Sequence, residues 1–248
     1  MSDPARVPHV TFVIPAYNEE ARLPASLDRV IAFLAQQPFD SEIIVSDDGS
    51  RDTTTSIVEQ RIAAGTPPSV TLRLLRAERN EGKGAAIRRG MLDARGAFAF
   101  FVDADLATPP DQSLKLLPKL EAGADVAIGS RIQPDGSDMR ASQPLKRRLA
   151  GQTFTLMRKA LGVLRDIDDT QCPMKGFRRE AARAIFERQR LSGWIFDAEV
   201  LSIARSLGQR IEAAPVTWQH VEGSRIRLRP GEAWQVLRDL LRLRRGRS

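Results

Sequence analysis

Five short apolar runs alternate with segments of helical length along the first half of this chain, and that alternation most limits what it can fold into. The runs are Val10–Ile14, Glu42–Ser46, Val70–Leu75, Phe98–Val102 and Val126–Ile128. Each is too short for a helix and is bounded by turn residues, such as Pro15 or Asp47-Asp48-Gly49. Between them, Glu19–Gln36, Asp52–Ala64, Gly84–Ala94 and Asp111–Glu121 read as helices. This order predicts an α/β fold, a mostly parallel sheet with helices on both faces.

Beyond Arg131 the pattern loosens. Gln133–Gln143 reads as a polar loop, and helices are expected over Pro144–Leu161, Arg179–Glu187 and Trp194–Leu207. Arg210–Trp218 reads as a late strand and Gly231–Arg245 as a final helix. Two units are therefore expected: a domain over residues 8–229 and a basic, roughly amphipathic helix and tail over 230–248. From Ser224 to Ser248 eight arginines face only Glu232 and Asp239, which accounts for much of the net charge of +7. Such a tail attracts phosphate, in nucleic acid or on an anionic membrane, or is simply a solvated face. Nucleic acid is the poorer reading, because aromatics are only 6% of the chain and acidic clusters occupy the expected cleft. No run of 18 apolar residues is present and the N-terminus has no signal-peptide character, so no transmembrane helix is expected. The one cysteine, Cys172, excludes an internal disulfide and suits a reducing compartment. His9 and His220 have no metal-ligand spacing.

Polar residues cluster just after the strands: Asn18-Glu19, Asp47-Asp48, Asp103 with Asp105, and Ser130-Arg131. Ligands of open α/β sheets bind at the carboxyl ends of the strands, so the four clusters together predict one site. Asp103 and Asp105 repel each other unless a cation stands between them. A pair like this at a strand end suits Mg²⁺ or Mn²⁺, whose shell water and substrate phosphates complete; a solvated turn is the alternative. Asp48 reads as an acceptor for a base or ribose, beside ordinary helix capping by Ser50 or Asp52. In NEGKGAAIRRG, Asn80–Gly90, a helix opens with two glycines around Lys83. That suits an anion or is a structural turn, and it is neither a P-loop nor a dinucleotide fingerprint.

VIPAYNEE, VSDDGSRDTT, RNEGKGAAIRRG and VDADLAT, in that order, resemble the nucleotide-sugar half of inverting family 2 glycosyltransferases. GSR (Gly129–Arg131), DTQC (Asp169–Cys172), WIFDAEVL (Trp194–Leu201) and VTWQHVEGSR (Val216–Arg225) resemble dolichyl-phosphate β-glucosyltransferases and polyprenyl-phosphate mannosyltransferases. DADLAT and VEGSR favour the glucosyl branch. The resemblance implies a GT-A fold, Rossmann-like with a mixed sheet. It implies that Pro15, Ala16, Tyr17 and Glu19 lie against base and ribose, Asp48 against the base, and Lys83 near the diphosphate. Asp103 and Ala104 would meet the nucleotide-sugar, and Asp103 and Asp105 would hold Mg²⁺ or Mn²⁺, with Asp105 the main ligand; Asp105, Arg131 and Asp197 are the catalytic residues the resemblance implies. Arg131 would meet the acceptor's phosphate, with Arg147 and Arg148 as a second basic contact.

The implied reaction moves a sugar, glucose from UDP-glucose by preference, onto a polyprenyl or dolichyl phosphate with inversion and metal dependence. GDP-mannose as donor, or a soluble carbohydrate acceptor, are the alternatives. Asp197, in FDAE, matches an acid that removes a proton in relatives with hydroxyl acceptors. A phosphate acceptor is already ionised, so here its role is positional or metal-linked, or it only complements a helix dipole. The sequence departs from the family where Cys172-Pro173-Met174-Lys175 replaces the usual turn, which puts an acceptor role for Asp169, Gln171 and Lys175 in doubt. No counterpart of the relatives' membrane anchors is read. The enzyme is therefore expected to be cytoplasmic and peripheral on the inner membrane face, with the C-terminal helix either in the lipid interface or packed on the catalytic domain with a frayed arginine tail.

Overall fold

The computed structural model describes residues 7–193, 195–221 and 230–245. Trp194, Glu222–Arg225 of the VEGSR motif and the last arginine, Arg247, lie outside them. The elements run β1 (Val10–Ala16), α1 (Leu23–Ala35), β2 (Ser41–Asp47), α2 (Thr54–Ala63), β3 (Val70–Arg76), α3 (Lys83–Asp93), β4 (Phe98–Phe101) and α4 (Ser113–Glu121). Then come β5 (Val126–Ser130), α5 (Leu145–Ala160), β6 (Lys175–Arg178), α6 (Arg179–Arg188), α7 (Phe196–Ser206), β7 (Ile211–Pro215) and α8 (Pro230–Arg245). Short 3₁₀ turns stand at Pro110–Gln112 and Met139–Ser142.

The strands form one sheet in the order β3-β2-β1-β4-β6-β5-β7. All neighbours are parallel except β6, which runs antiparallel to both β4 and β5. Strand β6 is not among the strands expected from the sequence. Its four residues, KGFR, show no apolar run, and strand character comes from hydrogen-bonding neighbours on both sides. Gly176 is where the sheet needs no side chain, since a Cβ there would overlap the Phe100 ring.

Side chains alternate across the strands and feed two cores. Val10, Phe12 and Ile14 of β1 pack with α1 and α4 through Leu27, Leu34 and Leu116 on one face. Val13, Ile44 and Phe101 pack with α3, α6 and α7 through Ile87, Phe186 and Leu201 on the other. Several boundaries differ from expectation, and prolines explain two of them. β1 runs through Pro15 to Ala16, paired with β2. Val13 and Pro15 turn their backbone toward β4, but β4 pairs only as far as Val13, so the missing N–H of Pro15 breaks no bond. Helix α1 opens at Leu23 rather than Glu19, with a proline in its first turn, where a missing N–H costs nothing.

The C-terminal helix places Leu240 fully inside the second core, with Val236 and Leu243 against it. Trp234 of the same helix is exposed. No helix among the described residues is long and apolar enough to cross a membrane.

Candidate active site

The loops that leave β1, β2 and β3 at their carboxyl ends are tied together by side-chain hydrogen bonds. The Asn18 amide N–H donates to Ser50 Oγ at 2.9 Å, and Asn18 Oδ1 accepts from the Arg51 amide at 2.8 Å. The Glu19 amide donates to Thr54 Oγ1 at 2.8 Å. Asn18 has a φ of 52°, a left-handed turn that asparagine tolerates and that swings the chain toward β2. Gly49, with a φ of 71°, lets the third loop close in, since a Cβ there would lie 2.6 Å from the Arg79 carbonyl carbon. Asp48 completes the brace by accepting from the Gly82 amide at 2.7 Å and the Glu81 amide at 3.1 Å. Burial pushes the Asp48 carboxyl upward, against the pull of those two amides and of Arg89.

Pro15 and Ala16 are buried at the end of β1, and Tyr17 is half-buried just beyond. Glu19 is held by Arg22 through two bonds of 2.8 Å. Arg22 was not singled out in the sequence, although the i, i+3 spacing to Glu19 was its signal.

Asp103 and Asp105 leave the end of β4 in a tight turn, with Leu106 at a φ of 47° and the Ala107 amide donating to Asp105 Oδ1 at 3.0 Å. Ala104, between them, is buried. Lys83, first residue of α3, reaches across to Asp103 with its Nζ 2.6 Å from Oδ1. Desolvation opposes the Lys83 ammonium, but the carboxylates of Asp103, Asp197 and Asp105 outweigh it and raise its pKa. Desolvation and then Asp103 push the Asp105 carboxyl above its ordinary range, against the Ala107 amide, Lys83 and Arg22. Asp105 is thus short of positive charge. The helix amides at the start of α3 are already engaged: Gly82 N–H by Asp48 and Gly84 N–H by the Ser192 carbonyl at 2.9 Å. Anion binding here therefore falls to the Lys83 ammonium more than to the helix end.

Asp197 stands buried in the first turn of α7, and Lys175, wholly buried in β6, meets it at 2.5 Å. Lys175 also donates to the Cys172 carbonyl at 2.8 Å and lies 5.2 Å from the centre of the Phe101 ring. Burial pushes Asp197 upward, while Lys175 and Lys83 pull it down. Lys175, Asp197, Lys83, Asp103 and Asp105 thus form a chain of alternating charge that ends on two carboxylates.

On the far side, Arg131 at the end of β5 spends its guanidinium on Asp169, with Nε–Oδ2 at 2.8 Å and Nη2–Oδ1 at 2.7 Å. Its backbone N–H donates to the same carboxylate at 2.9 Å. Burial would raise the Asp169 pKa, but the Arg131 fork holds the carboxyl down at about 2. Arg147, on α5, is half-buried, and no ion-pair partner lies within 4.0 Å of it among the described residues. Desolvation lowers its pKa and Arg131 adds to that, while Asp105 and Asp103 act against it, so Arg147 lies within electrostatic reach of the acidic pair. Arg148 is exposed on the outside of the same helix.

The donor set fits a hard divalent cation. Two carboxylates project from one turn, and no group of three or more acidic, histidine or cysteine side chains that could hold a metal occurs among the described residues. An ion here would complete its shell from water and diphosphate oxygens, which is how Mg²⁺ is usually held at phosphate substrates. A cavity of about 410 Å³ lies beside the Asp48 brace, lined by Ala77, Glu78, Arg79, Glu81 and Arg89. It does not include the acidic pair.

A family model described as Glycosyl transferase family 2 matches residues 11–186. The dolichyl-phosphate β-glucosyltransferase of Dictyostelium discoideum is 36% identical over 248 residues, spanning 95% of this chain and 74% of that protein. The human protein of the same name is 34% identical, spanning 95% of this chain and 74% of its own length. Among solved structures, glucosyl-3-phosphoglycerate synthase of Mycobacterium tuberculosis, with Mn²⁺, UDP and phosphoglyceric acid, superposes with a TM-score of 0.64 at 21% identity. That match covers 97% of this chain and 78% of the other, and it bears on the fold, which is the expected GT-A arrangement.

Proposed function

We propose a lipid phosphate as the acceptor for this chain, which belongs to glycosyl transferase family 2 and is a glycosyltransferase enzyme. In this reading it transfers glucose from UDP-glucose to a dolichyl or related polyprenyl phosphate. Support comes from the relatives, named dolichyl-phosphate β-glucosyltransferases at 33–38% identity. The observation that carries it is an acidic pair flanked by two cations, Lys83 on the donor side and Arg147 on the other.

On the donor side, the loops braced by Asp48, Asn18 and Glu19 hold base and ribose, with Pro15, Ala16 and Tyr17 forming the floor. Asp103, Ala104 and Asp105 meet the diphosphate. When bound, Mg²⁺ or Mn²⁺ on Asp103 and Asp105 would supply Lewis-acid neutralisation of the departing nucleotide. Lys83 adds a fixed positive charge at the same leaving group. Arg147 takes the acceptor's phosphate, for which a free guanidinium fork is well shaped. Arg131 braces the floor beneath it through Asp169, and Arg148 stands at the outer rim. A phosphate oxygen attacks the anomeric carbon opposite the leaving group, the bond to the nucleotide breaks, and the configuration inverts. The second pKa of a phosphate monoester is about 6, so no general base is needed. Asp197, locked to Lys175, acts as a positioning residue that steadies Lys83. Because the acceptor is a lipid, the enzyme works peripherally at an anionic membrane, on its cytoplasmic face.

The test is Asp105→Ala, with donor binding by calorimetry and turnover measured with Mg²⁺ or Mn²⁺. Metal-dependent binding of UDP-glucose should fall with turnover; near-normal turnover would remove the metal assignment. Preferential binding of GDP-mannose would replace the donor.

A further inference from the structure

Helix α5 carries a leucine stripe that the protein does not cover. Leu145, Leu149 and Leu156 are 59%, 52% and 71% exposed. At about 100° per residue the three fall within an arc of roughly 40°. The remaining exposed residues, Lys146, Arg148, Gln152, Thr153 and Ala160, lie on the same side of the helix. Counted from Leu145, Arg148 falls about 60° to one side and Lys146 about 100° to the other, so cations border the leucines along both edges. The opposite face is spent on the protein. Phe154 and Met157 pack against the second core, and Arg158 is fully buried, donating to the Val163 and Ile167 carbonyls at 2.8 and 2.6 Å. The helix is therefore fixed in rotation, and its outer arc is a built surface.

We propose that this outer arc of α5 docks on an anionic lipid bilayer. The leucines enter the interface, and Lys146 and Arg148 reach outward to lipid phosphates while their stems stay in apolar surroundings. A second copy of the chain is a poorer occupant: α5 contains no acidic residue, so pairing two such faces would crowd like charges. The C-terminal helix is also a poorer anchor, because Leu240 is fully buried and Val236 and Leu243 pack against the core. Arg147, about 200° round from Leu145, turns inward to the acidic pair while the leucines turn out. One helix would then seat the protein on the membrane and present the acceptor-side cation. Only the link between docking and turnover rests on the lipid-phosphate reading above.

The experiment is flotation of the full chain with vesicles of phosphatidylcholine alone or mixed with phosphatidylglycerol, against the triple variant Leu145→Gln, Leu149→Gln, Leu156→Gln. The variant's circular dichroism and thermal midpoint check that it folds, and light scattering gives the oligomeric state of both proteins. The wild type should float with the anionic vesicles, and the folded variant should lose at least about tenfold in partitioning. Transfer to a short, water-soluble isoprenyl phosphate should survive in the variant. Equal flotation of the two proteins, or no flotation with a dimer that the variant dissolves, would overturn the docking face. Normal flotation without transfer to any isoprenyl phosphate would count against the acceptor and not against the surface.

Discussion

Asp169→Asn tests the Arg131–Asp169 pair under the acceptor side. Asp169 accepts three bonds from Arg131, two from the guanidinium and one from the backbone, at 2.7 to 2.9 Å, and both side chains are buried. A carboxyl held at about 2 rather than 3.8 contributes about 2.4 kcal/mol of stability at neutral pH. Asparagine keeps one acceptor oxygen but removes the charge, leaving the Arg131 cation buried without a counter-ion. Breaking a buried pair in this way costs about 3–5 kcal/mol. Urea unfolding at pH 7 should therefore show a loss of roughly 2–5 kcal/mol with an unchanged dependence on denaturant. The sign of the pH effect follows from the depressed pKa. The contribution is complete above 3.8 and is lost as pH falls through about 2, so the wild type should lose it on acidification and the variant should not. A loss under about 0.5 kcal/mol, or parallel acid profiles for the two proteins, would refute the reasoning.

Lys175→Met strands the Asp197 carboxylate inside the protein and should cost about 3–5 kcal/mol in urea unfolding. Adding Asp197→Asn should restore more than half of it, and simple additivity of the two changes would show that the pair is not coupled. Gly49→Ala meets both a φ of 71° and the Arg79 backbone 2.6 Å away. It should cost roughly 2–4 kcal/mol and weaken UDP-glucose binding in calorimetry by displacing the loop that Asp48 holds.

The strand ends were legible because buried parallel strands are apolar runs, and Asp48, Asp103 and Arg131 each follow one within three residues. The companions of those residues were not. Asp169 stands 38 positions from Arg131, and Asp197 stands 22 positions from Lys175. Only the antiparallel insertion of β6 puts Lys175 beneath α7, and KGFR has neither the length nor the alternation to announce a strand. Arg147 and Arg148 read as one basic contact in the sequence. Helical geometry separates them by about 100°, one toward the cleft and one toward the outside. The leucines of α5 were visible at helical spacing, but spacing does not say which face the protein covers. The C-terminal helix likewise reads as amphipathic, and packing decides between its two readings: Val236, Leu240 and Leu243 go to the core while Trp234 stays exposed.

The most direct measurement is label transfer from UDP-[¹⁴C]glucose to polyprenyl phosphate in anionic vesicles, with Mg²⁺ or Mn²⁺ and then with chelator. Parallel reactions offer phosphoglyceric acid as acceptor and GDP-mannose as donor. Metal-dependent appearance of label in the lipid from UDP-glucose, abolished by chelator and by Asp105→Ala, is the result expected. Label in phosphoglyceric acid and none in the lipid, or lipid label that persists in chelator, would contradict the account.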